Sequence, residues 1–168
     1  MCSDAKNDHA ARLDIRSGTV DLTLRQHLLG AWVLMSYIEY PIDGSPERYP
    51  FGEDAKGLLI YSSDGFMSVQ LMPQDRRPFR SGDWFQATAS ELRNASAFVA
   101  YSGRFSVDEA AGKVTHEIAV SFFPNWIGRT QVRLAGVQDK DFVLRPDTPI
   151  RSWGKDVIPN LRWKRAAQ

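Results

Sequence analysis

Cysteine is nearly missing from this sequence. Cys2 is the only one in 168 residues, so no internal disulfide can form and a thiolate metal cluster is excluded. That usage suits a reducing compartment, and the cytoplasm is the expected location. Long apolar runs are also lacking: no stretch approaches the ~20 residues of a membrane-spanning helix. The opening Met1 to Asp8 is polar and has no apolar h-region, so no secretory signal is expected. Charge of one sign is not in excess either, with 21 Lys+Arg against 20 Asp+Glu and a formal net charge of +1. Without a basic surplus or a recognition motif, neither nucleic acid nor membrane is an expected partner. There is no Gly-rich phosphate loop, no Gly-x-Ser-x-Gly elbow and no His-Glu-x-x-His pair, so no cofactor and no metal are expected.

What is present reads as an ordinary globular domain, 43% apolar and 24% charged. Residues 1–20 lack periodicity and are expected to form a disordered tail, leaving 21–168 as one domain. Thr23-x-x-Gln26 is a capping box for one helical turn carrying Leu24 and Leu28. Trp32 to Tyr40 alternates as a strand, with Trp32, Leu34, Ser36 and Ile38 on one face. Pro41 to Asp54 is a loop. Ser63-Asp64-Gly65 then joins Leu58–Tyr61 to Phe66–Met72 as a hairpin. A loop of two or four residues there groups Leu58, Ile60, Met67, Val69 and Leu71, and leaves Leu59, Tyr61 and Phe66 opposite. Thr88-x-x-Glu91 caps the one substantial helix, whose apolar stripe is Leu92, Ala95 and Phe98. Further hairpins link Val99–Val107, Lys113–Phe123 and Thr130–Val137. Phe142–Leu144 and Leu161–Lys164 supply two short strands.

About eight strands in hairpin order predict an all-β fold, a single antiparallel up-and-down β-barrel with one short helix. Closure removes the exposed edges, and a barrel of this size holds one small ligand. Periodicity alone is also compatible with a β-sandwich.

Particular residues sharpen this expectation. Gly30-Ala31-Trp32 resembles the Gly-x-Trp that opens the first lipocalin strand, and Leu161-Arg-Trp-Lys-Arg165 resembles the closing segment whose basic side chain covers that Trp. Pro50-Phe-Gly52, Gly57-Leu-Leu-Ile-Tyr61, Asp64-Gly-Phe-Met-Ser-Val-Gln70, Ala100-Tyr-Ser-Gly-Arg104, Val114-Thr-His116 and Pro124-Asn-Trp-Ile-Gly128 follow in order. Together they resemble the bacterial and fungal lipocalin-like domain family from Leu29 to Arg165. The resemblance implies a calycin-type barrel with an internal cavity, and no single activity.

His116 is the only histidine in a predicted barrel strand, on an apolar face with Val114, Ile118 and Val120. If Asp108–Ala111 is the loop, Phe105 faces Val114, Gly103 faces His116 and Tyr101 faces Ile118, turning His116 inward. A register slipped by one residue instead sets His116 against Arg104 on the outer face. If Phe123 pairs with Thr130, then Val120 faces Arg133 and both point inward. An inward Arg133 calls for an anion or acceptor, such as a ligand carboxylate, phenolate or enolate. The candidate ligand-binding set is therefore Tyr61, Met67, Tyr101, Phe105, His116, Ile118, Val120, Arg133 and Trp126, the last at a barrel end. His116 and Tyr101 are the candidate catalytic pair.

The first functional reading is a cytoplasmic barrel enclosing a small apolar or aromatic metabolite. The second is a cofactor-free isomerase, cyclase or dehydratase of polyketide- or terpenoid-like substrates, with His116 shuttling a proton. The third is an interaction module filled by its own side chains. Ligand identity and oligomeric state are not written in these residues.

Overall fold

The computed structural model describes residues 22–138 and 141–167. The expected tail over 1–20, with Cys2 and His9, lies outside the described residues. Helix α1 (Leu24–Leu28) and helix α2 (Ala89–Ala95) each begin at a complete capping box, from Thr23 and Thr88 respectively. In both, the threonine hydroxyl accepts from the third residue on, whose side chain returns to the cap N–H.

The strands are β1 (Gly30–Pro41), β2 (Lys56–Tyr61), β3 (Phe66–Met72), β4 (Val99–Asp108), β5 (Lys113–Ser121), β6 (Thr130–Gln138), β7 (Asp141–Pro146), β8 (Ile150–Ser152) and β9 (Lys155–Arg165). Sequential strands pair antiparallel through β7, β7 pairs with β9, and β9 returns to β1 from Trp32↔Arg165 to Pro41↔Val157. The result is a closed eight-stranded barrel, and β8 folds onto β9 as an extra strand. The sandwich alternative is thereby removed. Pro159 hides in the long β9, which runs well before the expected Leu161 start.

Closure explains the Gly30-Ala31-Trp32 motif. The basic side chain over the indole is Arg165, its guanidinium carbon 3.8 Å from the Trp32 ring centre. Arg165 also donates to the carbonyls of Leu29 and His27, which ties α1 across the barrel end. Trp32 is fully buried, donates from Nε1 to the Leu28 carbonyl at 2.7 Å, and meets Phe142 edge-on at 4.4 Å. Gly30 sits at φ +111°, and a Cβ there would lie 2.8 Å from the Arg165 guanidinium. Only glycine admits both that backbone and that neighbour.

Three irregularities change which faces point inward. First, the β2–β3 loop is the odd-numbered Ser63–Gly65, with Ser62 and Phe66 joined by backbone hydrogen bonding and Gly65 at φ +90°. Tyr61 therefore opposes Met67 and Leu59 opposes Val69. The expected grouping of Leu58 and Ile60 with Met67 is corrected: Leu59 and Tyr61 face the core, while Leu58 and Ile60 are exposed. Second, a bulge at Met35 in β1 turns Tyr37 and Glu39 inward in place of Ser36 and Ile38. Third, the β4–β5 register shifts between Ser102 and Gly103, leaving Ala119 as the extra residue. Val120 is expected inward, but beyond this bulge it pairs with outward Ser102 and is 67% exposed.

Before the bulge, His116 faces Phe105 rather than Gly103, and Val107 rather than Phe105 faces Val114. That displacement is two residues, so the face is kept. Arg133 likewise opposes Val114 rather than Val120, an even displacement that leaves it inward.

Two stability outcomes follow. Arg165→Ala is expected to cost about 1–2 kcal/mol, or roughly 2–8 °C in Tm by thermal denaturation, with Arg165→Lys recovering only part. A Cβ on Gly103 would lie 1.8 Å from the Glu117 carbonyl oxygen, across the bulge. Gly103→Ala should therefore lower stability by about 3 kcal/mol in urea titrations; a neutral result would mean the strands can part there.

Candidate functional site

The alternation that fills the Trp32 end with large side chains leaves room toward the other. A cavity of about 500 Å³ lies there, walled by Leu59, Val69 and Leu71 from β2 and β3 and by Leu144, Leu161 and Trp163 from β7 and β9. Its lining extends to the exposed Phe123, Thr148 and Arg151, so it opens where the β5–β6 connection meets the segment leading into β8. Trp126, in a 3₁₀ turn over Pro124–Trp126, packs edge-on against Tyr101 at 5.7 Å and Phe123 at 5.4 Å.

The polar part of the lining converges on His116. This residue is only 1% exposed. The Tyr61 hydroxyl lies 2.8 Å from its Nε2 and the Tyr101 hydroxyl 3.2 Å from its Nδ1. Burial pushes the imidazole pKa down to about 3, and the nearby Arg133 guanidinium pushes the same way. Burial also raises the hydroxyls of Tyr61 and Tyr101, Tyr61 well above the ordinary tyrosine value. All three groups are neutral around pH 7.

A neutral imidazole offers one donor and one acceptor, so the two hydroxyls must play opposite parts. Tyr61 is fully buried, and among the described residues its hydroxyl meets no acceptor other than His116. If Nε2 carried the hydrogen, the Tyr61 O–H would be left buried and unmatched, at about 1–3 kcal/mol. The favoured arrangement has Tyr61 donating to Nε2 and Nδ1–H donating to the Tyr101 oxygen. Tyr101 lines the cavity, and its own O–H is then available to a ligand.

Arg133 stands beside this chain. Its guanidinium donates to the Val132 carbonyl at 3.1 Å and to the Gln131 side-chain oxygen. Across the cavity, Tyr37 donates to the carboxylate of Glu39 at 2.8 Å. Glu39 is 0% exposed and is held by Arg48 at 2.9 Å and by the Ser152 hydroxyl at 2.7 Å. This network fixes Tyr37 and tethers β8 to the barrel wall.

Of the residues singled out from sequence, Tyr101, His116, Arg133 and Trp126 share the cavity wall. Tyr61 lies beneath it against His116. Met67, Phe105 and Ile118 are buried in the core outside the lining, the Phe105 ring tilted against that of Tyr61 with centres 4.7 Å apart. Val120 faces outward. Sequence reading missed Tyr37, Gln131 and the buried Glu39. The bulge hid the first and last, and Gln131 shares a face with Arg133. Among the described residues, no cluster of His, Cys, Asp and Glu is suited to a metal ion, and no helix is long and apolar enough to cross a membrane.

His116 gives acid sensitivity a definite sign. As pH falls below 6.5, the unfolded chain takes up a proton at this residue that the folded chain refuses until about 3. Stability is thus lost across that window. In urea titrations between about pH 7 and 4, the natural protein should lose up to ~1.4 kcal/mol per pH unit more than His116→Gln. Parallel profiles would show that His116 is not held neutral.

The comparisons with known proteins agree with this architecture. A family model described as a lipocalin-like domain matches residues 29–166. The chain is also 31% identical over 106 residues to the 4'-hydroxy-3'-methoxypropiophenone carrier protein of Aspergillus oryzae, spanning 59% of this chain and 96% of that protein. The barrel, the Arg165-covered Trp32 and the family match lead to one conclusion: this chain belongs to the lipocalin-like domain family.

Proposed function

We propose that this protein carries a small aromatic metabolite, held in the barrel with a polar oxygen against Tyr101 and Arg133. The observation that carries the reading is the cavity of about 500 Å³, within the roughly 300–1,000 Å³ of small-molecule pockets. Its walls are largely aliphatic and aromatic, with Tyr101, His116 and Arg133 together on the wall and Asp147, Thr148 and Arg151 toward the opening. Such a site orients a ligand through one end and shelters the rest from water. The similarity to a protein named as carrier of a hydroxylated, methoxylated aryl ketone supports a ligand of that general chemistry. The lone Cys2 supports a cytoplasmic setting.

The physical state of His116 favours carriage over a proton shuttle. An imidazole with a pKa near 3 is a poor proton acceptor at neutral pH, and both its nitrogens face tyrosine hydroxyls. Its role in this reading is to orient Tyr101.

Native mass spectrometry of freshly purified protein should reveal a co-purifying small molecule. Titration with 4'-hydroxy-3'-methoxypropiophenone should quench the fluorescence of Trp126 and Trp163 saturably, with one ligand per chain and no turnover. Tyr101→Phe should weaken binding about 3- to 10-fold and Arg133→Gln about 10- to 100-fold. Absence both of a co-purifying molecule and of saturable binding by aryl ketones would overturn the proposal.

A further inference from the structure

The charges around the cavity are not evenly matched. Asp147, just beyond β7, is met by Lys113 at 3.7 Å, and Arg151 on β8 is met by Asp156 at 3.1 Å. Glu39, behind Tyr37, is met by Arg48. Arg133 is the exception: its hydrogen-bond partners are both uncharged, and it forms no ion pair among the described residues. The remaining titratable groups facing it are Tyr37 from β1, Tyr101 from β4 and His116 from β5. The three tyrosine and histidine groups are neutral at ordinary pH, with the tyrosine hydroxyls raised and the imidazole lowered. The wall therefore carries one uncompensated positive charge, next to a tyrosine hydroxyl oriented to donate.

We propose that the site selects the anionic form of its ligand, taking up an acidic phenol such as a para-hydroxyaryl ketone as the phenolate, with Arg133 as counter-charge and Tyr101 as donor. This rests on the carrier reading and names the ionisation state that the cavity selects. In a para-hydroxyaryl ketone the phenol and carbonyl oxygens are conjugated, so the anion's charge is spread over both. Arg133 and Tyr101 stabilise that anion more than the neutral phenol at whichever oxygen they meet. The proton leaves to solvent, and the ligand's O–H bond is the only bond broken. Low polarity in the walls leaves the guanidinium's attraction little screened, and that attraction opposes the desolvation that raises the Tyr101 hydroxyl in the same wall. The basicity of His116 is depressed first by burial, and the same guanidinium adds to that depression.

The test uses the full chain and two probes, 4'-hydroxy-3'-methoxypropiophenone and its 4'-methoxy ether, which cannot ionise. Absorption spectra of the bound phenol are followed with pH. The expected result is a bound-state phenol at least tenfold more acidic than the free compound, seen as phenolate absorbance appearing at least one pH unit lower. Affinity for the phenol should rise as pH climbs toward its free pKa, while affinity for the ether stays flat. Arg133→Gln should abolish the shift and Arg133→Lys retain part of it, with far-UV circular dichroism confirming the barrel. Binding of both probes with an unshifted or raised phenol pKa would overturn anion selection and leave the carrier reading standing. Binding of neither would overturn anion selection and, where no small molecule co-purifies either, the carrier reading with it.

Discussion

The closing of β1 onto β9 is the constraint on which the rest of the molecule depends. A row of strands joined by hairpins leaves two long edges, each with unpaired backbone groups, and only their mutual pairing removes both. Here that pairing runs for most of two long strands and is locked at one end by Arg165 over Trp32. The same guanidinium reaches the carbonyls of Leu29 and His27, so it seats α1 against the barrel as well as shielding the indole. Closing one end with Trp32, Phe142 and Leu28 leaves the interior space at the other, where the cavity forms. The geometry of the binding end is thus set by packing at the opposite one.

The interior then has to accommodate polar groups in a poorly solvating place, and it does so in two ways. Glu39 is matched by three partners, because Arg48, Tyr37 and Ser152 between them occupy both carboxylate oxygens. His116 gives up its charge instead, and is satisfied as a neutral ring between two hydroxyls. These solutions differ in consequence. The first is a structural tether, strongly destabilised by removal of either charged partner. The second is directional: a neutral imidazole transmits the constraint on buried Tyr61 to cavity-facing Tyr101. Arg133 disfavours the imidazolium, so it helps preserve that direction.

Much of the fold was legible because it rests on local signals. Capping boxes at Thr23 and Thr88 mark the two helices, and Asp64-Gly65 marks the first hairpin. Gly30-Ala31-Trp32 with the basic terminus announces closure. The inward placement of His116 and Arg133 survived register displacements of two and six residues, because even displacements keep the face. Features that change parity were invisible. The three-residue Ser63–Gly65 loop and the bulges at Met35 and Ala119 each reverse the faces that follow, and no residue type advertises them. Glu39 was hidden for that reason, since its partner Arg48 lies in a stretch read only as loop. Strand β8 escaped because its three residues are too few to show a period, and it is held by β9 and Ser152.

Those parity changes are also what make the cavity more than a packed core. Without the bulge at Met35, Ser36 and Ile38 would point inward, and Tyr37 with its Glu39 anchor would face solvent. Without the bulge at Ala119, Val120 would turn inward at the end where the cavity opens. Each bulge therefore trades regular alternation for a re-aimed wall, and Gly103 is the small residue that permits the second by tolerating the Glu117 backbone. Regular strands build the closed, dry half, while interrupted strands build the half with polar groups and space. The division follows from the physics of sheets: regular pleating packs side chains densely, and only a local break in register can redirect one of them without disturbing the barrel that holds it.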